Sequence, residues 1–156
     1  MSKAFDTIDH NTLFMKLSYY GIRGTALNWF KSYFHNRKQY VHYNGKDSLL
    51  LDISCGVPQG SVLGPLLFIL YTNDLPRVLQ DVKCILFADD TTIYMSSSNQ
   101  RQLYICMTRE LNNLNDWFNA NKLSLNTTKT NFIHFRKSNN VQVVQENLVV
   151  NNAIIE

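Results

Sequence analysis

Ile85-Leu86-Phe87-Ala88-Asp89-Asp90-Thr91-Thr92-Ile93-Tyr94 sets two adjacent acids between two short runs of β-forming residues, and the fold turns on how this stretch is read. Each run is too short for a helix and is rich in aliphatic, aromatic and Thr residues, so the spacing predicts strand, tight turn, strand, with both carboxylates at the tip. Neighbouring anions repel, and in a partly dry site that repulsion raises one pKa unless a cation keeps both ionised. A divalent metal would do so. An Asp-Asp pair also suits a turn with no metal, because Asp tolerates unusual backbone angles and hydrogen-bonds its own main chain. On its own the pair leaves both readings open.

Just upstream lies Gly56-Val57-Pro58-Gln59-Gly60-Ser61-Val62-Leu63-Gly64-Pro65-Leu66-Leu67-Phe68. Taken with Phe87-Ala88-Asp89-Asp90, it resembles the palm of reverse transcriptases of non-LTR (LINE-type, jockey-like) retrotransposons. The opening Ser2-Lys3-Ala4-Phe5-Asp6-Thr7-Ile8-Asp9-His10 and Asn36-Arg37-Lys38-Gln39-Tyr40-Val41 resemble the same family, and the matches run in family order to about Phe135.

The resemblance implies an α+β fold: a partial polymerase palm of antiparallel hairpins packed on helices, with fingers and thumb missing from this sequence. Residues 1–156 would form one partial reverse transcriptase domain, with residues 136–156 starting the primer-grip region. The implied activity is RNA-directed DNA synthesis, in which an RNA template, a DNA primer and dNTP meet at two Mg²⁺ ions roughly 4 Å apart. Asp89 and, more weakly, Asp90 match the family's metal-ligating and catalytic acids. Phe5 matches the aromatic gate beneath the incoming sugar; a plain core Phe is the other reading. Pro58, Gln59 and Gly60 match the loop that packs on the nascent base pair and template, where the alternative is an ordinary Gly-rich helix start. Lys129 matches a Lys near the departing pyrophosphate, or else is a solvated surface Lys.

In the family a first metal-ligating Asp lies five residues before the position of Phe5, which falls immediately before Met1. The Mg²⁺ site is therefore expected to be incomplete in this stretch, and the stretch inactive alone. Asp6, next to the gate, is expected to point to the other side, and Asp9 to cap the following helix. The alternative is a non-catalytic nucleic-acid-binding or structural remnant of a retroelement.

A chain of 156 residues with 45% hydrophobic and 17% charged residues is globular in composition and one domain at most. The net charge of +3 supports a nucleic-acid surface only weakly. Cys55, Cys84 and Cys106 are odd in number and widely spaced, which suggests neither a disulfide framework nor a zinc site and fits a reducing, intracellular (cytoplasmic or nuclear) setting. His10, His35, His42 and His134 are scattered and read as surface or half-buried residues. No signal peptide is apparent, and the longest apolar run, Val62 to Tyr71, is broken by Gly64 and Pro65 and is far short of the roughly 20 residues that span a bilayer. No membrane association is expected, and oligomeric state is not legible.

Elsewhere, periodicity predicts helices from His10 to Tyr20, ended by Gly21, and from Thr25 to His35 with Leu27, Phe30 and Phe34 on one face. Arg37 to Tyr43 and Ser48 to Cys55 read as a hairpin about Asn44-Gly45. A helix is expected from about Ser61 to Thr72, closed beyond Asn73-Asp74 by Pro76. Leu103, Met107, Leu111, Leu114 and Phe118 form a stripe on a helix that crosses behind a sheet and ends at Asn121. Val141-Gln142-Val143-Val144 and Asn147-Leu148-Val149-Val150 are strand-like, with a turn at Asn151-Asn152.

Overall fold

The computed structural model describes residues 4–135, 148–150 and 153–155. Residues 3–73 form one compact unit and residues 74–156 a second, within the span expected as one partial domain.

The first unit opens with a 3₁₀ turn, Ala4–Asp6, and then α1 (His10–Tyr19). Asp9 caps α1 as expected, its carboxylate accepting from Thr12 N at 2.9 Å and Thr12 Oγ1 at 2.8 Å. Helix α2 (Gly24–Phe34) buries Phe34. The next stretch departs from one continuous hairpin. β1 (Lys38–Gln39) pairs with β4 (Leu51–Asp52), and β2 (His42–Tyr43) pairs with β3 (Lys46–Asp47). Asn44 and Gly45 close the inner pair with φ of +49° and +74°, as a tight hairpin turn requires. Between the ladders Val41 N donates to the Ser48 hydroxyl at 2.9 Å, so a side chain replaces a ladder partner. Residues 38–52 are exposed on both faces, and no buried face enforces a single register.

Helix α3 (Leu63–Thr72) starts two residues later than expected, because Ser61 Oγ lies before it and accepts from Gly64 N at 3.0 Å. Pro65 occupies the first turn, where its missing N–H is not needed. The core of this unit is Ile8, Leu13, Leu17, Leu67, Phe68 and Tyr71. Lys16 Nζ donates to Tyr71 O at 2.6 Å, a cation placed at the carbonyl end of α3.

The second unit runs through a 3₁₀ turn (Leu75–Val78), β5 (Lys83–Phe87), β6 (Asp90–Tyr94) and α4 (Gln100–Ala120). A 3₁₀ turn (Thr127–Lys129), β7 (Leu148–Val150) and β8 (Ala153–Ile155) complete it. Asn99 caps α4 through Gln102 N at 3.1 Å. The apolar stripe of α4 packs on the β7–β8 pair: Tyr104 and Leu111 bury Leu148, Val150 and Ile155, with Ile93 and Leu125 at the margin. The expected helix crossing behind a sheet is here a helix against a two-stranded pair. Val150 pairs with Ala153, while the expected Asn151-Asn152 turn, the strand-like Val141 to Val144, the rest of residues 136–147 and Ser2-Lys3 lie outside the described residues. The described residues are thus α+β, with four α-helices and four two-stranded antiparallel pairs. Among them no helix is long and apolar enough to cross a membrane.

Candidate catalytic and nucleotide-binding site

The Asp-Asp stretch is a hairpin in full register from Lys83↔Tyr94 to Phe87↔Asp90. That register corrects one expectation: the turn is Ala88-Asp89, and Asp90 is not at the tip but opens β6 opposite Phe87. The cause is Ala88, which takes the left-handed conformation at φ +49° and so closes the turn in two residues. For a residue with a Cβ that conformation costs about 1–2 kcal/mol, strain of the kind that collects at functional sites. Asp89 is half-buried and Asp90 exposed. Burial alternates along both strands: Cys84, Leu86, Thr91 and Ile93 face inward, and Ile85, Phe87, Asp90 and Thr92 outward. Burial pushes the Cys84 thiol pKa up. Thr91 Oγ1 is buried with no hydrogen-bond partner among the described residues, an orphaned oxygen beside the acids.

The segment leading into β5 is clasped to α4. The fully buried Glu110 accepts from Gln80 N at 2.9 Å and from Arg109 Nε at 3.2 Å. Arg109 also pairs with Asp81, and hydrogen bonds to Glu110 and Asp81 raise its pKa further. Sequence reading missed this clasp. Its signal was an acid on the buried stripe of α4, three residues after Met107 and next to Leu111.

In the first unit, the gate and loop motifs are tied together by backbone. Val57 N donates to Phe5 O and Gly56 N to Ile8 O, both at 2.8 Å, and Cys55 pairs with Asp9 as an antiparallel bridge. His10 Nε2 donates to Gly56 O at 2.7 Å while its ring packs on Phe34, so this histidine braces the loop. The Phe5 ring is half-buried and stacks on Phe68 with centroids 4.6 Å apart. Asp6 turns elsewhere, its carboxylate accepting from Gln59 Nε2 at 2.7 Å. Both line a cavity of about 580 Å³ shared with Arg37, Asp52, Cys55 and Pro58. Gly56 is held at φ +84° with the Asp6 backbone pressed against it, so a Cβ there would lie 2.8 Å from Asp6 O. Gly60, at φ +79°, has open space where a Cβ would stand. The close backbone contact within the chain is therefore at Gly56, which the sequence did not single out.

The expected residues divide between the units. Phe5, Pro58, Gln59 and Gly60 belong to the first, and Asp89, Asp90 and Lys129 to the second. Lys129 is exposed at the end of its 3₁₀ turn, where Asn126 accepts from its backbone N–H at 3.2 Å. Among the described residues no three His, Cys, Asp or Glu side chains gather into a metal cage. Two adjacent carboxylates nonetheless suit Mg²⁺, which keeps much of its water and takes one or two carboxylates together with substrate phosphates.

Comparison with known proteins supplies an independent line. A family profile described as "Reverse transcriptase (RNA-dependent DNA polymerase)" matches residues 1–147. The chain is 32% identical over 143 residues to "Probable RNA-directed DNA polymerase from transposon BS" of Drosophila melanogaster, covering 83% of this chain and 15% of that protein. It is 30% identical over 145 residues to the transposon X-element counterpart from the same organism, covering 85% of this chain and 15% of that protein. It is also 36% identical over 76 residues to "RNA-directed DNA polymerase from mobile element jockey", covering 44% and 8%. The chain thus spans about 15% of the length of the first two relatives.

Proposed function

The chain belongs to the reverse transcriptase family, and from that premise we propose that it supplies the nucleotide-binding and metal-binding part of an RNA-directed DNA polymerase of a jockey-like mobile element. The observation that carries the proposal is the Asp89 turn: a two-residue reversal held by the Phe87↔Asp90 pair, with a left-handed Ala88 directly before the acid. Asp89 and Asp90 would hold Mg²⁺, with Asp89 the principal ligand. Bound there, Mg²⁺ supplies charge stabilisation while a primer 3′-hydroxyl displaces pyrophosphate from a dNTP on an RNA template.

The remaining roles follow from what each side chain touches. Phe5, backed by Phe68, offers a fixed aromatic surface suited to lie beneath the incoming sugar. Gln59 is oriented by Asp6, so its amide is positioned before any nucleotide arrives. The open space beside Gly60 leaves room for a base pair and template strand. Lys129 would place a cation where pyrophosphate negative charge develops. Asp6, engaged with Gln59, is a positioning group in this reading and not a metal ligand.

Primer extension tests the proposal in a chimera in which residues 4–135 replace the matching segment of the transposon BS polymerase. On an RNA template with Mg²⁺ the chimera should extend a DNA primer, and Asp89→Asn should lower the rate by about 10²-fold or more. Extension unchanged by Asp89→Asn would overturn the assignment.

A further inference from the structure

The net charge of +3 is not spread along the chain. Between Asp9 and Asp47 there is no acid, whereas residues 10–46 carry Lys16, Arg23, Lys31, Arg37, Lys38 and Lys46 together with three histidines. That segment is +6, leaving nine cations against twelve acids and a charge of −3 for the rest. The same segment is rich in exposed aromatic residues. Trp29 is 54% exposed, Tyr40 56% and Tyr43 80%.

At the end of α2 these features coincide. Trp29 and Tyr33, four residues apart, stack nearly parallel, with centroids 5.8 Å apart and planes 16° from parallel. The Arg37 guanidinium lies over the Tyr33 ring, 5.2 Å from its centroid. Its backbone is pinned by Ile53 N, which donates to Arg37 O at 2.9 Å. Lys38 beside it is paired with Asp52 at 3.5 Å, which leaves Arg37 as the cation of the stack. Two rings are thus stacked, the indole half exposed, with a guanidinium over the phenol ring, and Arg37 also lines the cavity that holds Gln59.

We infer that Trp29, Tyr33 and Arg37, in the acid-free segment 10–46, form a stacking platform for single-stranded nucleic acid, and none of the three is among the catalytic or nucleotide-binding residues assigned above. The chemistry favours an unpaired polynucleotide over a protein partner. Bases have two flat faces to add to a stack, their phosphates are anions that suit a segment free of acids, and base–aromatic stacking tolerates any sequence. A duplex, whose bases are already stacked on one another, would gain only the charge component.

The indole itself reports on the platform. The chain has two tryptophans, and Trp117 is only 6% exposed, so quenching by added nucleic acid reads Trp29. The 156-residue chain is titrated with unstructured single-stranded RNA of about 16 nucleotides, and, separately, with duplex DNA. Single-stranded RNA should quench Trp29, and Trp29→Ala should weaken RNA binding about 5- to 100-fold. Trp29→Phe should lose the quenching but keep affinity within a few-fold, since a ring still stacks. Arg37→Ala should weaken binding and lower the salt dependence of log K by about 0.7 per log unit of salt. Because Trp29 is exposed, these variants should keep the circular dichroism of the parent chain. RNA binding that neither quenches Trp29 nor responds to Trp29→Ala, equal sensitivity with duplex DNA, or no RNA binding would each overturn the platform. The polymerase assignment would be untouched by those results, because it is read by primer extension dependent on Asp89.

Discussion

Gly56→Ala is the substitution whose cost the structure makes easiest to work out. The glycine sits at φ +84°, and a Cβ built on it would stand 2.8 Å from Asp6 O and 3.0 Å from Asp6 C and Cα. All three are backbone atoms, so no side chain can swing away. Left-handed backbone at a residue with a Cβ costs about 1–2 kcal/mol. Forcing a methyl into close-packed space adds about 1–3 kcal/mol, for roughly 2–5 kcal/mol in total. Relief requires the loop to move off the Phe5–Ile8 segment, which stretches the Val57 N to Phe5 O and Gly56 N to Ile8 O bonds, both 2.8 Å. For a chain of this size each kcal/mol shifts Tm by about 2–4 °C, so a fall of roughly 4–20 °C is expected by thermal melting. Gly60→Ala is the matched control: its φ is +79°, but nothing lies within 4 Å of the added Cβ, so it should show the conformational cost alone, about 1–2 kcal/mol. If Gly56→Ala melts no lower than Gly60→Ala, the close approach of the loop to Asp6 does not constrain the fold and the reasoning fails.

Two further outcomes follow from the second unit. Glu110→Ala strands the Gln80 N–H, while Arg109 keeps Asp81, and should cost about 1–3 kcal/mol in chemical denaturation, whereas Glu110→Gln, which keeps an acceptor, should cost less; equal losses would show that charge, and not the hydrogen bond to Gln80, holds the segment before β5. Burial raises the Cys84 thiol pKa above its ordinary 9.0, so at pH 8 it should alkylate more slowly than a free thiol and speed up as pH rises. By linkage, the folded state keeps that proton more tightly than the unfolded state, and stability from this group, present below pH 9.0, should fall as pH climbs through the raised value; alkylation of Cys84 at the rate of a small-molecule thiol at pH 8 would contradict its burial.

Local chemistry was legible in the sequence wherever a short-range pattern carried it. The stripe from Leu103 to Phe118 gave α4, Asp9 caps its helix through an N–H group three residues on, and Asn44-Gly45 closes its turn with both residues left-handed. Family motifs marked Phe5, the Gln59 loop and Asp89. Tertiary detail was not legible. His10 reaches Gly56 and Gln59 reaches Asp6 across about fifty residues of chain, and no periodicity encodes such pairs. The hairpin from Arg37 broke into two ladders because its residues bury no face, so alternation there had no core to answer to. Ala88 was unremarked because alanine ordinarily avoids positive φ, which makes the position of Asp90 in β6 and not at the tip a tertiary outcome. Charge was legible but averaged: a whole-chain value of +3 conceals a +6 segment that a count between Asp9 and Asp47 exposes.

The central claim is that the Asp89 turn holds a divalent metal, and Mn²⁺ standing in for Mg²⁺ tests it on the chain itself. Paramagnetic broadening in the amide spectrum of the isotope-labelled protein should appear first at Ala88, Asp89 and Asp90, before the exposed acids Asp47 and Asp52, and Asp89→Asn should abolish that preference. Broadening that begins at Asp47 and Asp52, or that persists unchanged at the turn in Asp89→Asn, would contradict it.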